Sequence, residues 1–158
     1  MKTVLRLLVF VSFVGLVSCT GGVDREAVVG KWKVKSMQLD APNVPQTLAH
    51  NAEVLALATV YEFGADSSAR IEITANELEP ARKQTGSFEL KSSEKLLVIS
   101  PKQLAFFRDS AWVEVGGQMA AEAYNKTIEL KIETISASEM VLAESGPQWV
   151  LRYTLERM

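Results

Sequence analysis

The feature that most limits the fold of this 158-residue chain is an alternation of apolar and polar residues that recurs along most of its length after residue 30. It is cleanest in Thr127-Ile128-Glu129-Leu130-Lys131-Ile132-Glu133 and in Trp149-Val150-Leu151-Arg152-Tyr153-Thr154-Leu155. Trp32 and Val34 alternate with Lys31, Lys33 and Lys35, and Tyr61 and Phe63 share a face of 59–63. Ile71 and Ile73 stand against Arg70, Glu72 and Thr74, and Phe88 and Leu90 against Ser87, Glu89 and Lys91. Successive side chains of a strand point to opposite faces, so each stretch reads as a half-buried strand. Segments 95–99, 103–108, 111–115 and 139–143 are short and more uniformly apolar. Turn residues fall between the segments: Gly64-Ala65-Asp66, Gly86, Ser92-Ser93, Pro101, Gly116-Gly117, Ser136-Ala137-Ser138 and Gly146-Pro147. Short strands at regular spacing predict an all-β sandwich or barrel.

Two stretches break the period. Between Pro45 and Ala58 the chain is rich in Ala and Leu, and Leu48, Ala52, Leu55 and Ala58 fall on one helical face. Pro45 suits a first turn, where its missing N–H costs little. A helix is expected over about 46–58, inserted between the first and second strands. Gln118 to Tyr124, with Met119, Ala120, Ala121 and Ala123, reads as a helical turn or a loose loop.

The N-terminus has a different character. Lys2 and Arg6 precede and interrupt an apolar run from Val4 to Val17, shorter than the roughly 20 apolar residues of a membrane span. A positive start, a short apolar core and small residues before a cut mark a secretory signal. Leu16-Val17-Ser18-Cys19 resembles the lipobox of bacterial lipoproteins. That resemblance implies a signal peptide over 1–18, diacylglyceryl transfer to the Cys19 sulfur, cleavage before it and attachment of the mature chain to a membrane. Thr20 follows, with no Asp to suggest inner-membrane retention, so the expected address is the bacterial cell envelope, at the outer rather than the inner membrane. Residues 19–27 are expected to form a tether, with Thr20-Gly21-Gly22-Val23 as its flexible part. Residues 28–158 are expected to form one domain, a common size for a single core. Cys19 is the sole cysteine, so a lipidated chain has no thiol for a disulfide. Loss of Lys2 and Arg6 leaves 15 basic residues against 19 acidic ones and a net charge of −4. No basic stripe appears, which argues against a nucleic-acid partner.

Val29-Gly30-Lys31-Trp32 resembles the Gly-x-Trp opening of the first strand of lipocalins. The lipobox, the short tether, Tyr61-Glu62-Phe63-Gly64-Ala65-Asp66 and the terminal Tyr153-Thr154-Leu155-Glu156-Arg157 are similar to small bacterial lipocalin-like lipoproteins. The resemblance implies an up-and-down antiparallel β-barrel of about 8 strands, with the motif Trp lying across the closed end under a basic residue from the last strand. Parity points to Arg157, which continues the face of Trp149, Tyr153 and Leu155. Arg157 is therefore expected over Trp32, a cation–π contact worth about 0.5–2 kcal/mol, with Gly30 keeping the turn into the strand uncrowded. Lys33 stands where many lipocalins have an aromatic residue, their second strand-turn motif is missing, and the helix at 46–58 is not one of their general features.

A barrel of about eight strands is filled by its own side chains or holds one small ligand. Residues placed to line such a cavity are Tyr61, Phe63, Phe88, Phe106, Trp112, Trp149 and Tyr153, with Phe106, Phe107 and Trp112 nearest the mouth. Against this stands the plainer role of large aromatics as core. Catalysis is not expected: His50 is the sole histidine, and there is no Gly-x-Ser-x-Gly elbow. One His cannot build a zinc site, Glu77 and Glu79 lack calcium-loop spacing, and no Gly-rich phosphate loop follows a strand. No cofactor is implied. Two readings stay open: a membrane-anchored binding protein for a small apolar or amphipathic molecule, and a non-enzymatic interaction module of the envelope with a filled barrel.

Overall fold

The computed structural model describes residues 21–115 and 126–158. Its elements are α1 (Arg25–Val28), β1 (Gly30–Asp40), α2 (Gln46–Leu57), β2 (Thr59–Phe63), β3 (Ser68–Ile73), β4 (Arg82–Lys91), a 3₁₀ turn (Ser92–Glu94), β5 (Leu96–Arg108), β6 (Ala111–Val115), β7 (Ile128–Ile135), β8 (Glu139–Gly146) and β9 (Trp149–Arg157). All pairings are antiparallel. Eight strands form a ring in the order β1-β2-β3-β4-β5-β7-β8-β9, closed by β9 on β1 with Trp32 opposite Arg157 and Asp40 opposite Val150. The expected up-and-down barrel with a helix after its first strand is therefore the observed fold. β6 is extra: it pairs with the far half of β5, Leu104–Arg108, while β7 takes the near half, Leu96–Ile99.

One end of the barrel gathers the start of β1, the end of β9 and the turns at 64–67, 92–95 and 136–138. Its interior is filled by Val28, Trp32, Val34, Phe63, Phe88, Leu97, Leu130, Met140, Leu142 and Leu155, all buried. The other end carries α2, the loop at 74–81 and the β5–β6 turn.

Three strands run longer than their alternation suggests, and one physical cause accounts for all three. Register shifts fall between Val34 and Ser36 in β1, opposite Thr85/Gly86 in β5, and between Ile132 and Thr134 in β7. A bulge adds one residue and reverses which parity faces inward. Each sits at two consecutive polar residues, Lys35-Ser36, Lys102-Gln103 and Glu133-Thr134. The inward series accordingly runs Trp32, Val34, then Met37 and Leu39; Leu97, Ile99, then Leu104; and Leu130, Ile132, then Ile135.

The segments at 95–99 and 103–108 are consequently one strand, and Pro101 lies inside it rather than in a turn. Gly86 is likewise mid-strand, facing Pro101. A Cβ there would lie 2.1 Å from the Ser100 carbonyl oxygen, so this glycine permits close backbone approach rather than a turn. Within the stretch 19–27, Val23 is buried, its N–H donates to the Ser92 carbonyl at 3.2 Å, and Asp24 caps α1. In α2 the inward face is narrower than expected, since Ala56 is buried while Leu48 is 59% exposed. Cys19, Gly116-Gly117 and the segment Gln118–Tyr124 lie outside the described residues.

Candidate functional site

At the closed end α1 brings its last carbonyls over the Trp32 ring. The buried Trp32 Nε1 donates to the Val28 carbonyl at 2.8 Å. Arg157, delivered by the last residue of β9, has its guanidinium carbon 4.2 Å from the Trp32 ring centroid. Its three nitrogens donate to the carbonyls of Val29 (2.8 Å), Ala27 (2.6 Å) and Ala137 (2.8 Å). The planar fork of arginine can satisfy carbonyls in different directions while stacking on a ring. Gly30 has φ of 142°, and a Cβ on it would stand 2.5 Å from Arg157 Nη1, so both backbone and space require glycine. Arg25 repeats the device nearby, 5.1 Å from the Phe88 centroid and 2.6 Å from Ser67 Oγ. This end is closed by packing, with Trp32 fully buried.

The opposite half holds a cavity of about 200 Å³ lined by Val34, Met37, Ala52, Leu55, Ala56, Thr59, Tyr61, Leu151 and Tyr153. It exists because β1 outruns β2: Lys33 is the last residue of β1 opposite a β2 residue, and beyond it β1 pairs with β9 only. α2 fills that gap imperfectly, with small Ala52 and Ala56 facing the sheet. The lining is apolar except for three hydroxyls. Thr59 Oγ1 donates to the Leu55 carbonyl at 2.7 Å. Tyr153 OH donates to Glu144 Oε2 at 3.3 Å. Tyr61, 8% exposed, has no hydrogen-bond partner for its hydroxyl among the described residues.

Burial pushes the Tyr61 phenol above its ordinary pKa, and the Glu144 charge adds to that. Tyr153 is raised by burial first, then by neighbouring Tyr61 and Glu144 and by the hydrogen bond to Glu144. Both phenols stay protonated and able to donate. Glu144 pairs with Leu151 across β8–β9, on the inward parity of Met140 and Leu142. Alternation in 139–143 ends before it, so its inward position was not visible from the segment alone.

The seven aromatics expected at a cavity thus separate. Tyr61 and Tyr153 line this one. Phe63 and Phe88 are packed edge to face at 5.1 Å in the core. Phe106 is half-buried beside Arg108, at 5.7 Å. Trp112 is not in the cavity: it packs against Phe107 at 5.4 Å with Lys83 Nζ 4.5 Å from its ring. Lys83 lies on the outward parity of β4, which carries this cluster to the outer wall. Trp149 also lies outside the lining and covers Gly146, where a Cβ would meet its ring at 2.3 Å. His50, the sole histidine, lies 3.2 Å from Glu77 on an exposed surface. Among the described residues no three His, Cys, Asp or Glu side chains converge as a metal site would require. A depression of about 370 Å³ between β1 and β4 is rimmed by Lys31, Glu62 and Arg70, but Arg70 already engages Glu62 and Glu72.

No protein-family model matches the sequence, and no curated protein matches it. Among solved structures, a lipocalin-like protein from Bacteroides uniformis superposes with a TM-score of 0.50 at 14% identity, over 84% of this chain and 99% of that one. The fold is lipocalin-like. An uncharacterized protein from Bacteroides eggerthii matches with a TM-score of 0.49 at 15% identity, over 82% of this chain and 98% of that one. At such identities the lipocalin-like likeness extends to architecture and not to ligand, so function rests on the site itself.

Proposed function

We propose that this chain is an exported lipoprotein, anchored at the bacterial envelope through Cys19, whose lipocalin-like barrel binds a small apolar or amphipathic molecule beneath α2 and catalyses no reaction. The observation that carries the binding half is the cavity of about 200 Å³. Protein interiors are packed with few voids larger than a water. A dry cavity of about 150 Å³ already accepts benzene, so this one suits a compact single-ring molecule. It is too small for a long-chain lipid, since drug-sized ligand pockets run to about 300–1,000 Å³.

The anchoring half rests on Leu16-Val17-Ser18-Cys19 and on a leader too short to span. Two or more acyl chains hold a protein stably where one does not. Among the described residues Val23 is the first that is buried, and it lies at the closed end, beside the Ser92 turn. Four residues of extended chain reach at most about 14 Å, so an anchor on Cys19 keeps that end near the membrane. The mouth under α2 then faces away, toward ligands arriving through water.

Native mass spectrometry of the protein purified from its own cells tests the binding half: a reproducible small-molecule adduct supports it, and a clean apo mass overturns it. Cys19→Ala tests the anchor, with acyl labelling and membrane association both expected to disappear. A second reading, docking of another envelope protein, is favoured by Phe107, Val113 and Val115, which are 44%, 49% and 39% exposed on the β5–β6 hairpin. An apo mass together with a specific crosslink from that hairpin would select it.

A further inference from the structure

The cavity has a chemical polarity that its apolar lining conceals. Glu144 forms no ion pair among the described residues, and its one hydrogen bond there is from the Tyr153 phenol. No Lys, Arg or His lines the cavity. Tyr61 lines the same space, and its hydroxyl, within reach of water, has no protein partner among the described residues. Glu144, half-exposed at the side of the pocket and without a counter-charge, gives that side a negative potential. Burial is the first cause of the upward displacement of both phenols, and Glu144 adds to it.

We infer that the cavity selects a small monoamine, with its ammonium group held by Glu144 and by the Tyr61 and Tyr153 oxygens and its apolar body against Val34, Met37, Leu55 and Leu151. This rests on the binding reading above and specifies its ligand class. An ammonium carries three donors and no acceptor. Tyr153 spends its proton on Glu144, so its oxygen is free to accept; Tyr61 can turn its lone pairs the same way. A carboxylate ligand would be repelled by Glu144. A neutral alcohol could bond Tyr61 but would gain no charge-assisted hydrogen bond from Glu144. The volume sets the other limit: a single ring on a short alkyl arm fits, whereas a polyamine or a lipid does not.

The test uses three probes of one shape, phenethylamine, 2-phenylethanol and phenylacetate, titrated calorimetrically at pH 7 into the purified full chain and into Glu144→Gln and Tyr61→Phe. Phenethylamine is expected to bind at least about tenfold more tightly than either of the others. Glu144→Gln should erase that preference while leaving 2-phenylethanol unchanged, and Tyr61→Phe should weaken phenethylamine about threefold. Equal or tighter binding of 2-phenylethanol or phenylacetate to the wild type overturns the amine assignment and leaves cavity binding standing. A preference that persists in folded Glu144→Gln does the same. Binding of none of the three overturns the amine assignment; an adduct in native mass spectrometry would then keep the binding reading for another class. If circular dichroism shows Glu144→Gln unfolded, the wild-type ranking, which needs no substitution, decides.

Discussion

Around Trp32, at the closed end, polar atoms that enter the interior find protein partners: the indole N–H meets Val28, and the Arg157 guanidinium meets three carbonyls. Under α2, only a few residues further along the same strands, the Tyr61 phenol has none among the described residues and the Glu144 carboxylate has only another phenol. The closed end spends its polar groups on itself and gains rigidity. The mouth leaves them open to water or to a ligand. The contrast separates residues that hold the barrel from residues free to meet a ligand, although both sets are aromatic and both face inward.

Trp32→Ala should break the closed end outright. It removes a fully buried ring and strands the Arg157 charge above a hole, so a loss of about 3–5 kcal/mol is expected. Urea denaturation would read it; a loss below 1 kcal/mol would mean that the end is not held as the contacts imply. Arg157→Lys comes next. Lysine keeps the charge but not the fork, and at most one of the three carbonyls keeps its donor, so a cost of about 1–3 kcal/mol is expected. A neutral result would show that these bonds are replaced by water.

The closed end was also the more legible from sequence, for a physical reason. Trp32 and Arg157 lie on unbroken alternation close to the chain ends, where parity alone orients a side chain. Phase is lost wherever a bulge intervenes, and the three bulges lie between the closed end and the mouth. Lys35-Ser36, Lys102-Gln103 and Glu133-Thr134 each carried the signal, two polar residues in succession with the apolar phase changed beyond them. Read as interruptions, they split β5 in two and hid the inward turn of Met37. Glu144 is missed for a related reason: a charged residue at the end of an apolar run reads as solvent-facing, and only the pairing with Leu151 turns it inward. Trp112 shows the opposite error, since an aromatic in a short strand reads as interior although its hairpin lies on the outer wall. The cavity itself has no sequence signature, because it is the space left where β2 stops short and α2 presents alanines.

Filling that space sharpens the contrast. Ala52→Leu adds apolar volume at a position that lines the cavity and keeps a strong helix former in α2. Its stability is expected to stay within about 1 kcal/mol of wild type, because filling a void offsets the strain that an overpacked core would suffer. Ligand binding should be lost. The matching enlargement at the closed end, Val28→Phe, has no void to enter and should cost about 1–3 kcal/mol. If both changes cost the same in thermal denaturation, the two ends are packed alike and the cavity is not a standing space.

The smallest effect belongs to the outer surface of the closed end. Asp66, in the β2–β3 turn, accepts from the Ser68 hydroxyl at 2.6 Å and the Ser68 N–H at 3.0 Å. The Ser68 hydroxyl bond is the main cause of a pKa below the ordinary aspartate value; the Ser68 backbone bond, Asp66's own backbone and Arg25 lower it further, against a small opposing burial effect. A depressed folded-state pKa means that the unfolded chain takes up the proton first as pH falls. The contribution of Asp66 is therefore complete above the unfolded aspartate pKa of about 3.9 and disappears as pH drops through the lowered folded value. Asp66→Asn should be less stable than wild type at pH 7, and the gap should close by the time both carboxyl forms are protonated. Paired denaturation curves at neutral and strongly acidic pH would show this. A gap that stays constant with pH would assign the turn's stability to shape and hydrogen bonding alone, with no part played by the charge.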